Sequence, residues 1–316
     1  MDKIRLIYVA DVHGSETVWR KWISAQSIYE IDVSILAGDL CGKMIVPIIK
    51  ENDGSYTCRH EGRVDKASDT NELEEIKGRL NARGIYPYVS TQEEVQQLKS
   101  SPEKLEEIFT QVIIDDLDRM LTIVEEKIPL DRTIIVTPGN DDVLGVDAVI
   151  DKHKKIINPL GKLVELPIGY EMISMEYSNR TPWNTPRECS EEELRKRLET
   201  LVPLVSGNWR KVICNFHAPP YGGRLDLAPK LDKNLRPVYT LGVPEYANVG
   251  SKSVRWFLEK YQPLMSLHGH IHESPGVEQI GKTTAFNPGS EYTTGIFRGV
   301  LVELNEHGIT NWFKIG

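Results

Sequence analysis

Five short apolar runs in this chain each stop at a cluster of polar or glycine residues, and that repeated pattern limits the fold more than any other feature. IRLIYVA runs into Asp11-Val12-His13, DVSILA into Gly38-Asp39, and RTIIVTP into Gly139-Asn140-Asp141-Asp142. KVICNF runs into His217, and PLMSL into His268-Gly269-His270-Ile271-His272. The runs are rich in β-branched residues without polar alternation, which predicts strands covered on both faces. Amphipathic helices are predicted between them. Ser15 stands before a helix through Trp22 and Ile28, and residues 251–261 read as a helix ending before Pro263. Ser190 and Glu193 form an S-x-x-E capping box ahead of Leu194, Leu198 and Leu201. Alternating strands and helices imply an α/β domain. In open α/β sheets, sites form beyond the carboxyl ends of the strands, which is where every one of these polar clusters falls.

Two stretches depart from the alternation. VEQI-GK-TTAFNPGS and GVLVEL-NEHG-ITNWFKI read as strands joined by tight turns, an antiparallel part of a second sheet. Within residues 45–130, IIKENDGSYTC reads as a hairpin turning at Asn52-Asp53-Gly54. A charged helix follows from about Asn71 to Leu80, and a long one from Pro102 to about Lys127 behind Ser101 as N-cap. In the long helix Leu105, Phe109, Val112, Leu117, Met120, Leu121 and Val124 keep a helical stripe, expected to pack on the main domain. The expected organisation is a single domain over 1–316, with 45–130 as an inserted hairpin plus helical segment flanking or covering the site.

Composition narrows the partners. With 40% hydrophobic residues in 316, the chain can bury a sizeable core. Its net charge of -8 argues against duplex nucleic acid, whose backbone is gripped by clustered Lys and Arg. A small phosphorylated substrate needs only a local positive site. Cys41, Cys58, Cys189 and Cys214 are too far apart for a CxxC zinc site and suggest no disulfide framework, so a reducing cytoplasm is expected. Asp11 interrupts the first apolar run too early for a secretory segment, and no stretch approaches the ~20 apolar residues of a membrane span.

Three of the eight histidines fall within residues 268–272. Singly, the polar residues have ordinary readings: Asp11 and Gly38-Asp39 as turns, Gly139-Asn140 as a loop, His217 as a satisfied core histidine. Together the strand ends offer Asp11, His13, Asp39, Asn140, His217, His270 and His272. Carboxylate, imidazole and amide in one set suit Mn, Fe, Zn, Co or Ni rather than calcium. Seven donors exceed one tetrahedral ion and fit two divalent ions sharing a carboxylate.

DVH, GD, GND, the single His of NFHAPP, and GHIH, in that order, resemble the motifs of the calcineurin-like metallophosphoesterases. The NPGS turn at Asn287 to Ser290 is similar to the family's segment after its last motif, and the resemblance covers most of the chain outside residues 45–130. It implies an α/β fold (α+β by some schemes), a four-layer α-β-β-α sandwich of two mixed sheets, here with a largely helical insertion. It further implies one ion held by Asp11, His13 and His272, another by Asn140, His217 and His270, and Asp39 bridging both. The implied enzyme is a metal-dependent phosphoesterase attacking phosphorus with metal-bound hydroxide. Two divalent ions, two carboxylates and one hydroxide leave about one surplus positive charge, which an Asp in place of Asn140 would cancel. Catalytic roles are thus expected of Asp39, Asn140, His217 and Asp141. Substrate contacts are expected of Asn140 and Arg224, with Lys43 as a second candidate cation.

Asp141 departs from the family. Many relatives read GNH there, and that histidine assists the leaving group. Either the acidity of Asp141 is shifted, or it faces away, or another group acts. The DRG of the protein Ser/Thr phosphatase branch is also absent, since Asp39 precedes Leu40-Cys41-Gly42. Phosphodiesters or activated esters are therefore the expected substrates. A non-catalytic metal-binding scaffold on the same fold and a nuclease of the same superfamily are the alternatives. His60, His153 and His307 match no motif; His307 is expected in a turn, and His153, in a Lys-rich stretch, is expected to be exposed.

Overall fold

The computed structural model describes residues 3–316. The five apolar runs form the strands Lys3–Ala10, Val33–Ala37, Thr133–Thr137, Val212–Phe216 and Met265–Leu267. Two mixed sheets of six strands share them. The first runs in the order Gly308–Ile315, Gly299–Asn305, Lys3–Ala10, Val33–Ala37, Thr133–Thr137, Ile156–Ile157. Its last four strands are parallel and its first two antiparallel. The second runs Gly276–Ile280, Thr283–Asn287, Met265–Leu267, Val212–Phe216, Tyr170–Met175, Val164–Leu166, with four parallel strands between antiparallel edges. The C-terminal hairpin, expected in the second sheet, extends the first instead. There Gly299–Asn305 pairs with the N-terminal strand and turns Val300, Val302 and Leu304 into the core between the sheets.

Successive side chains of a strand point to opposite faces, and here both faces are dry. Leu6, Tyr8, Val33 and Ile35 meet Met172, Ile213, Leu267 and Phe286 of the second sheet. Ile7, Val9, Leu36 and Val136 point the other way, against Trp19 and Trp22 of the helix Glu16–Ile28 and Leu117 and Leu121 of the helix Pro102–Lys127. The far face of the second sheet, with Ile173, Cys214 and Phe216, packs on Leu194 and Leu198 of Glu191–Leu201 and on Val254 and Phe257 of Lys252–Tyr261. Burial on both faces is why the runs carry no polar alternation. The Ser190 hydroxyl accepts the Glu193 N–H at 3.2 Å, which makes one half of the expected capping box, while the Glu193 carboxylate pairs with Arg197 instead of returning to Ser190. Ser15 and Ser101 precede their helices but make no such bond; the Ser15 hydroxyl donates to Ala82 O at 2.6 Å and ties the start of the first helix to the stretch 45–130.

The hairpin expected within residues 45–130 belongs to a sheet of four strands, ordered Arg63–Ala67, Tyr56–His60, Met44–Lys50, Ile85–Ser90. Val46, Ile48, Cys58, Leu73, Ile76 and Ile85 give it a small core of its own. The two unexpected strands are the edges. RVDKA is largely charged and exposed, and IYPYVS contains Pro87, which a strand tolerates at an edge. The long helix buries Leu117, Met120, Leu121 and Val124 against the first sheet, whereas Leu105 at its far end is exposed. His153 corrects the expectation of exposure: it is buried, with Nδ1 3.0 Å from Glu125 Oε2 and Nε2 3.0 Å from Asp118 Oδ1. Both partners lie on the long helix, so nothing near His153 in sequence announces them. Among the described residues no helix is long and apolar enough to cross a membrane.

The two ends of the long helix should respond differently to truncation. Leu121→Ala is expected to cost about 2–5 kcal/mol, as for other buried leucines, and Leu105→Ala under about 1 kcal/mol, read from urea-unfolding midpoints. Equal costs would contradict the packing described.

Candidate metal centre

The carboxyl ends of the parallel strands in both sheets meet at one place, and the loops that leave them carry the seven residues singled out above. Asp11 and His13 follow Lys3–Ala10, Asp39 follows Val33–Ala37, and Asn140 follows Thr133–Thr137. His217 follows Val212–Phe216, and His270 and His272 follow Met265–Leu267. Backbone bonds knit these loops together. His13 N–H donates to Asp39 O at 2.8 Å, Gly38 N–H to Thr137 O at 2.8 Å, and Gly269 N–H to His217 O at 3.0 Å. Beneath them the buried Asn215 donates from Nδ2 to Thr137 Oγ1 of the first sheet and Ser174 Oγ of the second, at 3.0 and 3.1 Å.

Two glycines let the loops close. Gly38 has φ of +75°, and a Cβ there would lie 2.1 Å from His217 Nδ1. A Cβ on Gly269 would lie 2.5 Å from Asp11 Oδ2. Asp11, His13, Asp39 and His270 also have positive φ, at 56°, 41°, 39° and 67°. Such backbone costs ~1–3 kcal/mol per residue and persists where its surroundings impose it.

The side chains form two donor sets with one member in common. Asp11, His13, Asp39 and His272 make the first set, and Asp39, His217 and His270 the second. His13 Nε2 lies 3.1 Å from His272 Nε2. Asn140 Oδ1 joins the second set, 2.8 Å from His217 Nε2 and 2.7 Å from His270 Nδ1. Asp39 Oδ2 lies 3.5 Å from His13 Nε2, while Oδ1 lies 3.5 Å from His217 Nε2. One oxygen of Asp39 thus faces each set. Donors bound at 2.0–2.1 Å to a common ion stand about 3.0–3.4 Å apart; the 3.1 Å between His13 and His272 falls in that range, and the other four distances lie within a few tenths of an ångström of it. Asp11 Oδ1 is buried without a hydrogen-bond partner. The donor types and this unpaired oxygen fit divalent metal ions.

The seven donors, whose motifs resemble those of the calcineurin-like metallophosphoesterases, stand together at one place. No family model matches the chain. Over 157 residues, 49% of its length, it is 32% identical to the uncharacterized protein MJ1162 of Methanocaldococcus jannaschii, and the match spans 63% of that relative, short of two thirds. One crystal structure aligns over the whole of both chains with a TM-score of 0.60 at 14% identity. TT1561 of Thermus thermophilus aligns over 96% of this chain and all of its own, with a TM-score of 0.52 at 12% identity. At these identities the likenesses show a shared fold.

The other residues of interest divide. Of the three histidines in HGHIH, His268 turns into the core. Its Nδ1 faces Phe216 O and Ala218 O at 2.8 and 3.0 Å, and its Nε2 faces Ser266 Oγ at 2.9 Å. Asp141 forms an ion pair with Lys43, so these two groups stand together at the edge of the candidate site. Arg224 is not brought to it. It is exposed and lines another cleft with Gly276, Glu278 and Trp312. Sequence reasoning passed over Asp142, which is buried and accepts N–H bonds from Gly139, Leu40 and Cys41 at 2.8–3.0 Å, pinning the Asp39 loop to the Asn140 loop. The doubled acid of GNDD was its one signal. Ser290, in the NPGS turn, donates to Asp11 O at 2.6 Å.

Burial dominates the electrostatics. It pushes Asp11 up to about 8, opposed by the His270 N–H and Lys43 and aided by Asp141 and Asp142. Burial, then Asp141 and Asp11, raises Asp39. Burial lowers His13 and His217, takes His270 to about 4 and takes His272 to about 3. The imidazoles are therefore neutral and able to ligate, while the carboxyls hold protons that an ion must displace.

This fixes the sign of two effects. Histidines with lowered pKa add stability that is present above about 6.5 and lost as pH falls toward 4. Carboxyls with raised pKa add stability that is lost as pH rises toward 8. Between pH 6.5 and 8 the histidine terms are constant and the carboxyl terms fall, joined toward 8.5 by the four thiols that burial raises, so the metal-free protein should melt at lower temperature across that interval. Mn²⁺ affinity should rise over the same interval, with proton release seen by calorimetry in buffers of different ionisation enthalpy. A metal-free Tm that rises, or binding without proton release, would contradict the assignment.

Proposed function

We propose that this chain is a metallophosphoesterase that holds two divalent ions and hydrolyses a small phosphodiester or activated phosphate ester, on the four-layer α-β-β-α arrangement of its family. The observation that carries the reading is the single carboxylate of Asp39 with one oxygen toward each donor set. Asp11, His13 and His272 would complete one site, and Asn140, His217 and His270 the other. Bound ions would draw charge from the phosphoryl oxygens and make a water nucleophilic near neutral pH. The chain's own residues set the charge of the pocket. A neutral amide at Asn140 spares one negative charge where an anionic ester must enter. Lys43 offsets Asp141, which would otherwise repel that ester.

The direct test combines metal analysis of the purified chain with a screen of chromogenic diesters, aryl monoesters and alkyl monoesters. Two divalent ions per chain and chelator-sensitive diester hydrolysis are expected. Asp39→Asn should lose more than the roughly 10–100-fold typical of a residue that only supports a ligand. Full activity with normal metal content in that variant would refute the bridging role, and strong activity on alkyl monoesters would refute the substrate preference.

Lys43 gives a second test. Lys43→Ala should lower kcat/KM for a diester by roughly 10–100-fold, equivalent to the ~1.5–3 kcal/mol of a charged contact. Lys43→Ala combined with Asp141→Ala should recover part of the loss, since the repelling carboxylate is gone as well. Strictly additive losses would contradict the pairing.

A further inference from the structure

An asparagine does not by its position alone decide which atom it shows a metal ion. Its oxygen and nitrogen occupy nearly the same space, but only the oxygen has a lone pair to give; the nitrogen presents two N–H donors. With its amide reversed, Asn140 would aim N–H groups at the site and cease to be a ligand. Its neighbours settle the orientation. Asn140 Nδ2 donates to Thr185 Oγ1 at 2.7 Å and, more weakly, to Asp141 Oδ1 at 3.3 Å. The Thr185 hydroxyl in turn donates to Glu188 Oε1 at 2.6 Å. Glu188 also accepts the Thr185 N–H and both the N–H and the hydroxyl of Thr181. A carboxylate receiving four donors is held ionised and can only accept. The single hydroxyl proton of Thr185 is therefore committed to Glu188. Toward Asn140 that hydroxyl can only accept, so it takes the amide N–H and leaves Oδ1 facing His217 and His270.

The relay is anchored to the loop it serves. Arg187, between Thr185 and Glu188, donates its backbone N–H to Asn140 O at 3.0 Å. Its buried guanidinium holds Asp142 O and Val143 O at 3.0 and 3.1 Å, and the Asp147 carboxylate at 3.0 Å. The stretch TPWNTPREC is thus fastened along the Asn140 loop, with Thr185 in hydrogen-bonding reach of the amide.

We propose that Thr185, polarised by Glu188, is the positioning residue that turns the oxygen of Asn140 toward the second ion. The inference rests on the two-ion reading above and adds a dependence that reading does not require. It predicts that changes at two residues outside the donor set weaken one ion site and spare the other.

The test is calorimetric titration of Mn²⁺ into the chelator-treated full chain, with melting temperature as a separate readout. Thr185→Val keeps the side-chain shape and replaces the acceptor with a methyl group. One of the two affinities should fall about 10–100-fold, the scale for lost ligand support, with the other unchanged, and Thr185→Ser should restore it. Glu188→Ala leaves Thr185 in place and removes both acceptor oxygens, which frees its hydroxyl proton to point at Asn140. The same single affinity should fall, which a purely space-filling role for Thr185 would not produce. Should Thr185→Val fail to fold, Glu188→Ala decides the matter. Two wild-type affinities in Thr185→Val or in Glu188→Ala, or parallel loss at both sites, overturns the inference while the two-ion reading stands. A wild-type chain that binds fewer than two ions overturns both.

Discussion

Two carboxylates, Asp11 and Asp39, are buried where two sheets meet, and the site is arranged around the cost of keeping them there. An unpaired ionised carboxylate in a dry environment is too costly to persist, and such a group gains a proton or finds positive charge. Backbone N–H bonds from His270 to Asp11 and from Asp141 to Asp39 offset part of that cost. Lys43 adds one positive charge nearby, shared with Asp141. The surrounding imidazoles are driven neutral by the same burial and add none. What remains is a pocket rich in lone pairs and short of positive charge, the electrostatic description of a divalent metal site.

The architecture makes the arrangement possible. Each sheet has a parallel centre, so the carboxyl ends of its strands gather on one side. Packing the sheets face to face through Leu6, Tyr8, Phe286 and their neighbours brings the two sets of strand ends together. The Asn215–Thr137–Ser174 bonds fix them just below the site. Left-handed backbone at Asp11, His13, Asp39 and His270 is the local strain of turning ligands inward, and the surrounding core offsets it.

Much of this was legible in the sequence, because strands buried on both faces read as continuous apolar runs and their ends carry the chemistry. The five central strands and the seven donors needed no tertiary knowledge beyond the rule for α/β sheets. What escaped was set by contacts distant in sequence or by weak local signals. RVDKA looks like a charged loop and becomes a strand only by pairing with Tyr56–His60. His153 is buried by two acids 28 and 35 residues upstream. Arg224 follows closely on His217, yet the chain turns it into a different cleft. Thr185 and Glu188 resemble ordinary loop residues, and only the packing of their loop beside Asn140 gives them a role.

The central claim is that Asp39 is shared between two ions. A crystal structure of the Mn²⁺-loaded protein, with anomalous scattering at the manganese edge, tests it most directly. Two peaks about 3.5–4 Å apart are expected, each in contact with a different oxygen of Asp39. A single peak, or two peaks of which either lies out of reach of Asp39, would contradict it.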